Sequence, residues 1–154
     1  MKRLTLLAVP LAFAGFSSLA LANDTVTLDE LNTLLDSADQ HFSHYDDIEV
    51  DDSRLEIEGW REDGTKLEMD LQLADGSVSK EEEGRSGDIP DWSLSGDEVR
   101  QALEVAQQEG LQRFKEFDAD DDGHVDIEGY DDQDREIEIR LNSSDFSVID
   151  VERD

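Results

Sequence analysis

Carboxylates recur at alternate positions between residues 118 and 129, where the sequence reads DADDDGHVDIEG. Alternating carboxylates in a tight loop can converge on a hard cation such as Ca²⁺, and Gly123 permits the sharp turn that an EF-hand loop requires. Phe114 and Phe117 precede the segment as the apolar residues of an entering helix would. The pattern nominates six ligands for Ca²⁺: Asp118, Asp120, Asp122, His124, Asp126 and Glu128.

Two features of the same segment argue against an EF-hand. The twelfth position should supply a bidentate glutamate, but it is Gly129, and Glu128 falls one place early. An exit helix should follow, but residues 135–141 alternate as a strand does. The other interpretation is an acidic turn between a helix and a strand, with only weak or nonspecific cation binding. We therefore predict no cofactor, with Ca²⁺ as the alternative.

Other side chains capable of chemistry form no complete site in the sequence. His41 and His44 stand three residues apart and could share a metal ion on one helix face, but no third ligand accompanies them. The chain has no cysteine, no glycine-rich phosphate loop and no serine-centred elbow. The sequence therefore predicts a binding protein and not an enzyme.

The first 22 residues have the pattern of a secretory signal peptide. Lys2 and Arg3 precede an apolar run, and residues 20–22 read Ala-Leu-Ala, which is a cleavage signature. We expect an exported, soluble protein, periplasmic or secreted, with no membrane insertion after cleavage. The alternative is a retained membrane anchor. Without cysteine, an exported protein must hold together by its core alone.

Acidic residues outnumber basic ones by 42 to 13, which gives a formal net charge of −29. Nucleic acids and anionic membrane surfaces bind basic patches, so neither is expected as a partner. Self-repulsion of this size opposes compaction unless ions screen it, and at about 1 M salt the screening length falls to about 3 Å. The charge suits a saline exterior or an ordinary, very soluble acidic protein, and the composition allows both.

The chain repeats itself at a spacing of 70 residues: IEGW at 57–60 returns as IEGY at 127–130, and DGSV at 75–78 as DFSV at 145–148. A repeat of this length is one supersecondary unit used twice. Each copy begins with a capping box, at 27–30 and at 95–98. An apolar stripe of helical spacing then runs to about residue 45 in the first copy and to residue 117 in the second, where Gly110 could end the helix early.

After each helix the apolar spacing changes to two, which predicts strands. Each copy then offers three strands joined by turns, such as the Asp-Gly pairs at 63–64 and 75–76. We therefore predict an α+β fold of two tandem units, each a helix packed on its own three-stranded antiparallel meander. The predicted divisions are a signal peptide at 1–22, a first repeat at 23–86 and a second repeat at 87–154, with an acidic linker at 81–90.

Two tandem helix-and-meander units behind an export signal resemble the PepSY family. The resemblance rests on the strand endings Glu58-Gly59-Trp60 and Glu128-Gly129-Tyr130, and on the L-x-x-x-D-G-x-V ending from Leu71 to Val78. It covers residues 25–154, although Phe146 replaces the turn glycine in the second copy. The resemblance implies a non-catalytic exported module that binds a protein partner, with modulation or inhibition of a protease or another envelope protein among the roles to expect.

Two aromatic residues at matched positions of the repeat are candidate partner contacts. Alternation places Trp60 and Tyr130 on the face opposite the core. Exposed aromatic side chains can anchor a protein partner, and Trp92 in the neighbouring segment could join them. The alternative is that they pack against Ile89 and Trp92 or against the other copy, because two marginal units need an interface.

Overall fold

The structure, a computed structural model, describes residues 24–154, so the predicted signal peptide at 1–22 lies outside the described residues. Two helices begin where the capping boxes predict: α1 spans Leu28–Ala38 and α2 spans Gly96–Gln108. In each box the N-cap hydroxyl accepts the N–H of a glutamate three residues on, whose carboxylate accepts the N-cap N–H in return. Both predicted helix starts are confirmed.

Both helices end earlier than their apolar stripes predict. α1 has 11 residues and α2 has 13. Gly110 follows α2 with a φ of 117°, a backbone conformation that glycine tolerates and that ends a helix. Four aromatic residues that the sequence assigned to helical stripes therefore lie outside the helices: Phe42, Tyr45, Phe114 and Phe117.

Ten strands lie within residues 24–154. They are β1 (Val26–Thr27), β2 (His44–Asp51), β3 (Arg54–Trp60), β4 (Thr65–Gln72), β5 (Val78–Ser86), β6 (Leu94–Ser95), β7 (Arg113–Ala119), β8 (His124–Tyr130), β9 (Glu136–Asn142) and β10 (Val148–Arg153). The sequence predicts three strands in each copy, and these correspond to β3, β4 and β5 and to β8, β9 and β10. Most of β7 and the first two residues of β2 stand where helix was expected. β5 continues through the first part of the predicted linker.

The strands form one antiparallel sheet in the order β10-β9-β8-β7-β2-β3-β4-β5. β2 and β7 are the first long strands of the two copies, and they pair with each other with Ile48 opposite Phe117. The prediction of two separate helix-and-three-strand units is therefore wrong. Pairing β2 with β7 removes two of the exposed edges that separate meanders would leave.

The short strands before the helices link the two copies further. β1 of the first copy pairs with β7 of the second, with Val26 opposite Phe114. β6 of the second copy pairs with β2 of the first, with Leu94 opposite Tyr45. The chain leading into each helix is thus fixed to a strand of the other copy. α1 also contacts β7 and α2 contacts β2, so the prediction that each helix packs on its own sheet is wrong.

The apolar residues of both copies form a hydrophobic core between the helices and one face of the sheet. Gly59 and Gly129 are required where strands approach closely: a Cβ at Gly59 would lie 2.1 Å from the carbonyl oxygen of His44, and one at Gly129 would lie 1.9 Å from that of Arg113. The glycine of the repeated Glu-Gly-aromatic motif therefore serves the packing of β3 on β2 and of β8 on β7.

Candidate functional site

The sheet face opposite the helices, here called the open face, carries two continuous rows of charged side chains. Antiparallel register places directly paired residues on the same face, so the pairings trace each row across eight strands. The first row is Glu152, Glu138, Glu128, Glu116, Glu49, Glu56, Asp70 and Lys80. The second row is Asp150, Arg140, Asp126, Asp118, Asp47, Glu58, Glu68 and Glu82.

The few cations of the open face neutralise the two flanks of these rows. On the β3–β5 side, Lys80 Nζ lies 2.6 Å from the Glu68 carboxylate. On the β8–β10 side, Arg140 Nε lies 2.7 Å from the Asp126 carboxylate, and Lys115 Nζ lies 3.3 Å from Glu128. The flanks of the open face therefore hold much of its positive charge.

The centre of the open face has no such compensation. Asp47 and Glu49 of β2 stand opposite Asp118 and Glu116 of β7, and none of the four takes part in an ion pair among residues 24–154. Like charges opposite each other on neighbouring strands destabilise a sheet. The junction of the two copies is therefore the most strongly negative part of the open face.

The pKa values of these carboxyls follow from that crowding. Burial, and then the negative charges of Asp118 and Glu116, raise the pKa of Asp47 to about 7. Burial also raises the pKa of Glu116, with Glu128 and Glu49 adding to the effect. A positive group placed over this centre would relieve the repulsion and lower these pKa values again.

A further partly enclosed carboxyl lies between the centre and the Lys66 side chain. Asp46 accepts a hydrogen bond from Lys66 Nζ at 2.5 Å through one oxygen, while its buried Oδ1 has no hydrogen-bond partner among the described residues. Lys66 also lies 3.4 Å from Glu58. One lysine therefore serves two carboxylates at the edge of the central cluster.

Trp60 lies on the open face, as alternation predicts, but it is covered. Its side chain is only 8% exposed. The Trp92 ring meets it edge to face with centroids 5.6 Å apart, and Lys66 Nζ lies 4.2 Å from its ring centroid. The geometry favours the alternative in which Trp60 packs against the segment between the repeats, with Trp92 as its cover.

Tyr130 occupies the matched place at the end of β8 and is half-buried. The Arg113 guanidinium lies 4.8 Å from its ring centroid and also contacts Asp134 at 2.7 Å. Each aromatic of the repeated motif thus holds a cation over its ring, an arrangement that is itself stabilising. A role for Trp60, Tyr130 and Trp92 in partner binding stays a prediction.

The six candidate calcium ligands lie along the hairpin of β7 and β8. Phe114 and Phe117 belong to β7, so the segment before the loop is a strand and not the entering helix of an EF-hand. Asp118 and Asp126 face each other across the two strands. Other ligands already have partners within the hairpin or beside it: Asp120 accepts the Asp122 N–H at 3.1 Å, His124 Nδ1 lies 3.0 Å from Asp122, and Asp126 and Glu128 bind Arg140 and Lys115.

Within residues 24–154, no group of three or more histidine, cysteine or acidic side chains has an arrangement that could hold a metal ion. His41 lies in the turn after α1 and His44 begins β2, so the predicted shared helix face does not form. Calcium binding by segment 118–129 stays a prediction.

Sequence reasoning missed the two acidic rows. The alternating acids of LEIEGW, LEMDLQ and HVDIEGY were visible as outward positions of separate strands. Their alignment into rows depends on β2 and β7, neither of which was predicted as a strand, and on a register that no local pattern contains. The signal that could have found them is the acid alternation at 47–49 and 116–118.

Comparison with known proteins gives one family match and one structural likeness. The family model described as "Peptidase propeptide and YPEB domain", of the PepSY group, matches residues 6–82, which is half of the chain. A crystal structure of a candidate lipoprotein from Clostridium difficile is 18% identical over 84% of this chain and 93% of its own, with a TM-score of 0.39. That score is too low to support any inference from one structure to the other. No curated protein sequence matches the chain.

The helices of residues 24–154 are too short or too polar to cross a membrane.

Proposed function

This chain belongs to the PepSY family of peptidase propeptide and YPEB domains, and from that premise we propose that it is a non-catalytic binding module that acts by contact with another protein. The family description associates such domains with peptidases, which makes a peptidase the first class of partner to examine. With the predicted signal peptide, we place the module outside the cytoplasm, periplasmic or secreted.

One observation supports the proposal most strongly: the two rows of the open face contain fourteen carboxylates and two cations, and neither helix covers them. Arg54, Lys66 and Lys115 pair with some of these carboxylates from beside the rows, and the Asp70 carboxylate is buried, but the four central carboxylates have no such partner in the part of the chain that the structure describes. Burying or crowding so many like charges opposes folding. A face that is needed only for folding would have acidic and basic side chains paired with each other, as on the flanks of the open face. The uncompensated centre therefore favours a partner that brings positive charge.

The partner we propose is a protein with a lysine- and arginine-rich surface. Complementary charge raises association rates by steering, and this effect weakens as salt increases. Guanidinium groups can bind carboxylates through two parallel hydrogen bonds, so paired rows of acids suit arginine side chains. Such a partner would also stabilise this chain, because it relieves the repulsion between β2 and β7.

The test begins with a pull-down from the envelope or culture fraction of the exporting cell, with and without chelator, followed by titration of the purified partner. A variant that neutralises the centre of the open face is compared with the wild type; it carries Asp47→Asn, Glu49→Gln, Glu116→Gln and Asp118→Asn. A control carries the same charge change at exposed positions elsewhere: Asp88→Asn, Asp91→Asn, Glu104→Gln and Asp132→Asn.

We expect the central variant to bind the partner at least about tenfold more weakly, which corresponds to about 1.4 kcal/mol. The control should bind within about twofold of wild type, and chelator should have no effect. Equal weakening in both variants would mean that overall charge matters and the open face does not. Loss of binding with chelator would support the calcium alternative instead.

A further inference from the structure

At one turn the two copies carry very different residues on the same backbone conformation. Gly76 in the β4–β5 turn corresponds to Phe146 in the β9–β10 turn. The Gly76 N–H donates to the carbonyl oxygen of Gln72 at 2.8 Å, and the Phe146 N–H donates to that of Asn142 at 2.8 Å. The turns therefore share one geometry, and a side chain at either position leaves the backbone in the same direction.

That shared geometry is unfavourable for phenylalanine. Gly76 has a φ of 69° and Phe146 a φ of 55°, in the left-handed region that bulky residues seldom adopt. Phe146 is nevertheless found there, half-buried and packed against the hydrophobic core. In the second copy, the packing of an aromatic ring at this position offsets the backbone strain.

The first copy has a pocket where the corresponding ring would lie. It has a volume of about 230 Å³ and lies between α1 and the β4–β5 turn, with Leu34, Ser37, Leu73 and Ala74 in its lining. A Cβ on Gly76 would point into it, 3.7 Å from Leu34 Cδ2 and 3.4 Å from Ser37 Oγ. Because an apolar cavity of about 150 Å³ can hold benzene, the space suffices for a phenyl ring.

The rim of this pocket is negative. Glu30 and Asp75 both contribute to its lining. Hydrogen bonds from the Ser77 hydroxyl and N–H hold the pKa of Asp75 below its usual range, so Asp75 is ionised at neutral pH. Glu30 caps α1 and adds a second carboxylate. A ligand that places an aromatic group in this pocket would gain from a neighbouring positive charge, which could pair with Glu30 and Asp75.

We propose that this pocket, here called the Gly76 pocket, binds a phenylalanine-like side chain next to a lysine or arginine in a protein partner. The ring would take the place that Phe146 fills in the second copy, and the adjacent cation would meet Glu30 and Asp75. The inference relies on the proposed function only for the partner being a protein. The pocket lies on the helix side of the sheet, away from the open face, so the two can be tested separately.

The probe is the dipeptide N-acetyl-phenylalanyl-arginine amide, titrated into the full chain and followed by methyl NMR signals of Leu34, Leu73 and Ala74. The matched control is N-acetyl-alanyl-arginine amide. We expect saturable shifts with the phenylalanine peptide and roughly tenfold to 100-fold weaker binding of the alanine peptide, as the burial of an aromatic ring implies.

Two variants fill the pocket from within. Gly76→Phe introduces the ring that the second copy already tolerates, and Ser37→Leu fills the space from α1 if the first variant does not fold. Either should reduce binding of the phenylalanine peptide at least tenfold, whereas Asp47→Asn on the open face should leave it unchanged.

Equal binding of the two peptides would overturn the proposal, as would undiminished binding of the phenylalanine peptide to a folded, filled variant. Loss of peptide binding with Asp47→Asn would also contradict it, since the site would then belong to the open face. If the open-face variants bind the partner as tightly as wild type, the proposed function is wrong, but peptide binding to the Gly76 pocket is unaffected. The two proposals can therefore be refuted independently.

Discussion

Replacing Asp47 with asparagine should stabilise the protein above neutral pH and have little effect near pH 4. Burial, followed by the neighbouring carboxylates of β7 and β3, raises the pKa of Asp47 from 3.8 to about 7 in the folded state. Between these two values the folded protein holds a proton that the unfolded chain has released. Stability therefore falls as pH rises through that range, and it stays low above it.

The size of the effect follows from the shift. About three pKa units at 1.36 kcal/mol each give about 4 kcal/mol of destabilisation by ionised Asp47 at pH 8. Solvent and salt screening reduce this to on the order of 2 kcal/mol. Asp47→Asn should recover that amount at pH 8, which raises the melting temperature by about 5–10 °C. Near pH 4 the gain should be a small fraction of this value.

The assay is thermal and urea unfolding at pH 4 and pH 8, in low salt and in about 1 M salt, where the gain should shrink. Asp132→Asn, at an exposed turn position, removes the same charge without touching the open face and serves as the control. A gain from Asp47→Asn that is equal at both pH values, or no larger than that of the control, would refute the reasoning. Destabilisation at pH 8 would refute it as well.

Gly129→Ala should destabilise the protein by about 3 kcal/mol or more, because its Cβ would meet the Arg113 carbonyl oxygen at 1.9 Å, whereas Gly87→Ala meets no atom within 4 Å and should be nearly neutral in urea unfolding. In Trp92→Phe, the remaining Trp60 fluorescence should resist acrylamide quenching, and strong quenching would show that the residue is not covered. Either repeat expressed alone should give the circular dichroism of an unfolded chain, because β1 and β6 each pair with the other copy; a cooperative transition in one would contradict this. Calcium titration in moderate salt should give no saturable heat while Arg140 and Lys115 hold two of the nominated ligands, and a saturable isotherm would favour the calcium alternative.

Local patterns predicted the parts of the fold that depend on short-range physics. The capping boxes marked the starts of both helices. Alternation and turn residues located the three strands of each copy that became β3, β4 and β5 and β8, β9 and β10. In each case the decisive interaction joins residues only two to four positions apart. Sequence alone can therefore identify such elements.

The missed strands have a specific physical cause. β-Bulges interrupt β2 between Tyr45 and Asp47 and β7 between Phe114 and Glu116. Because of these bulges, buried Tyr45 and Ile48 are three residues apart, as are buried Phe114 and Phe117. That spacing imitates one face of a helix. Because β2 and β7 join the two copies, missing these strands led to the wrong prediction of two separate units.

The candidate site was predictable only in part, for the same reason. Alternation correctly placed Trp60 on the open face. The residue that covers it, Trp92, is 32 residues further along the chain, so no local pattern indicates the contact. The facing carboxylates of Asp47 and Asp118 depend on a pairing between the two copies. Long-range register of this kind leaves no mark in a local pattern.

Zero-length carbodiimide cross-linking of this chain to its captured partner tests the central claim most directly, because it joins carboxylates only to amines in contact with them. We predict cross-links from partner lysines to the two rows of the open face, concentrated at Glu49 and Asp118, and their loss when the central four carboxylates are neutralised. Cross-links confined to the carboxylates of α1 and α2, with none on the open face, would contradict it.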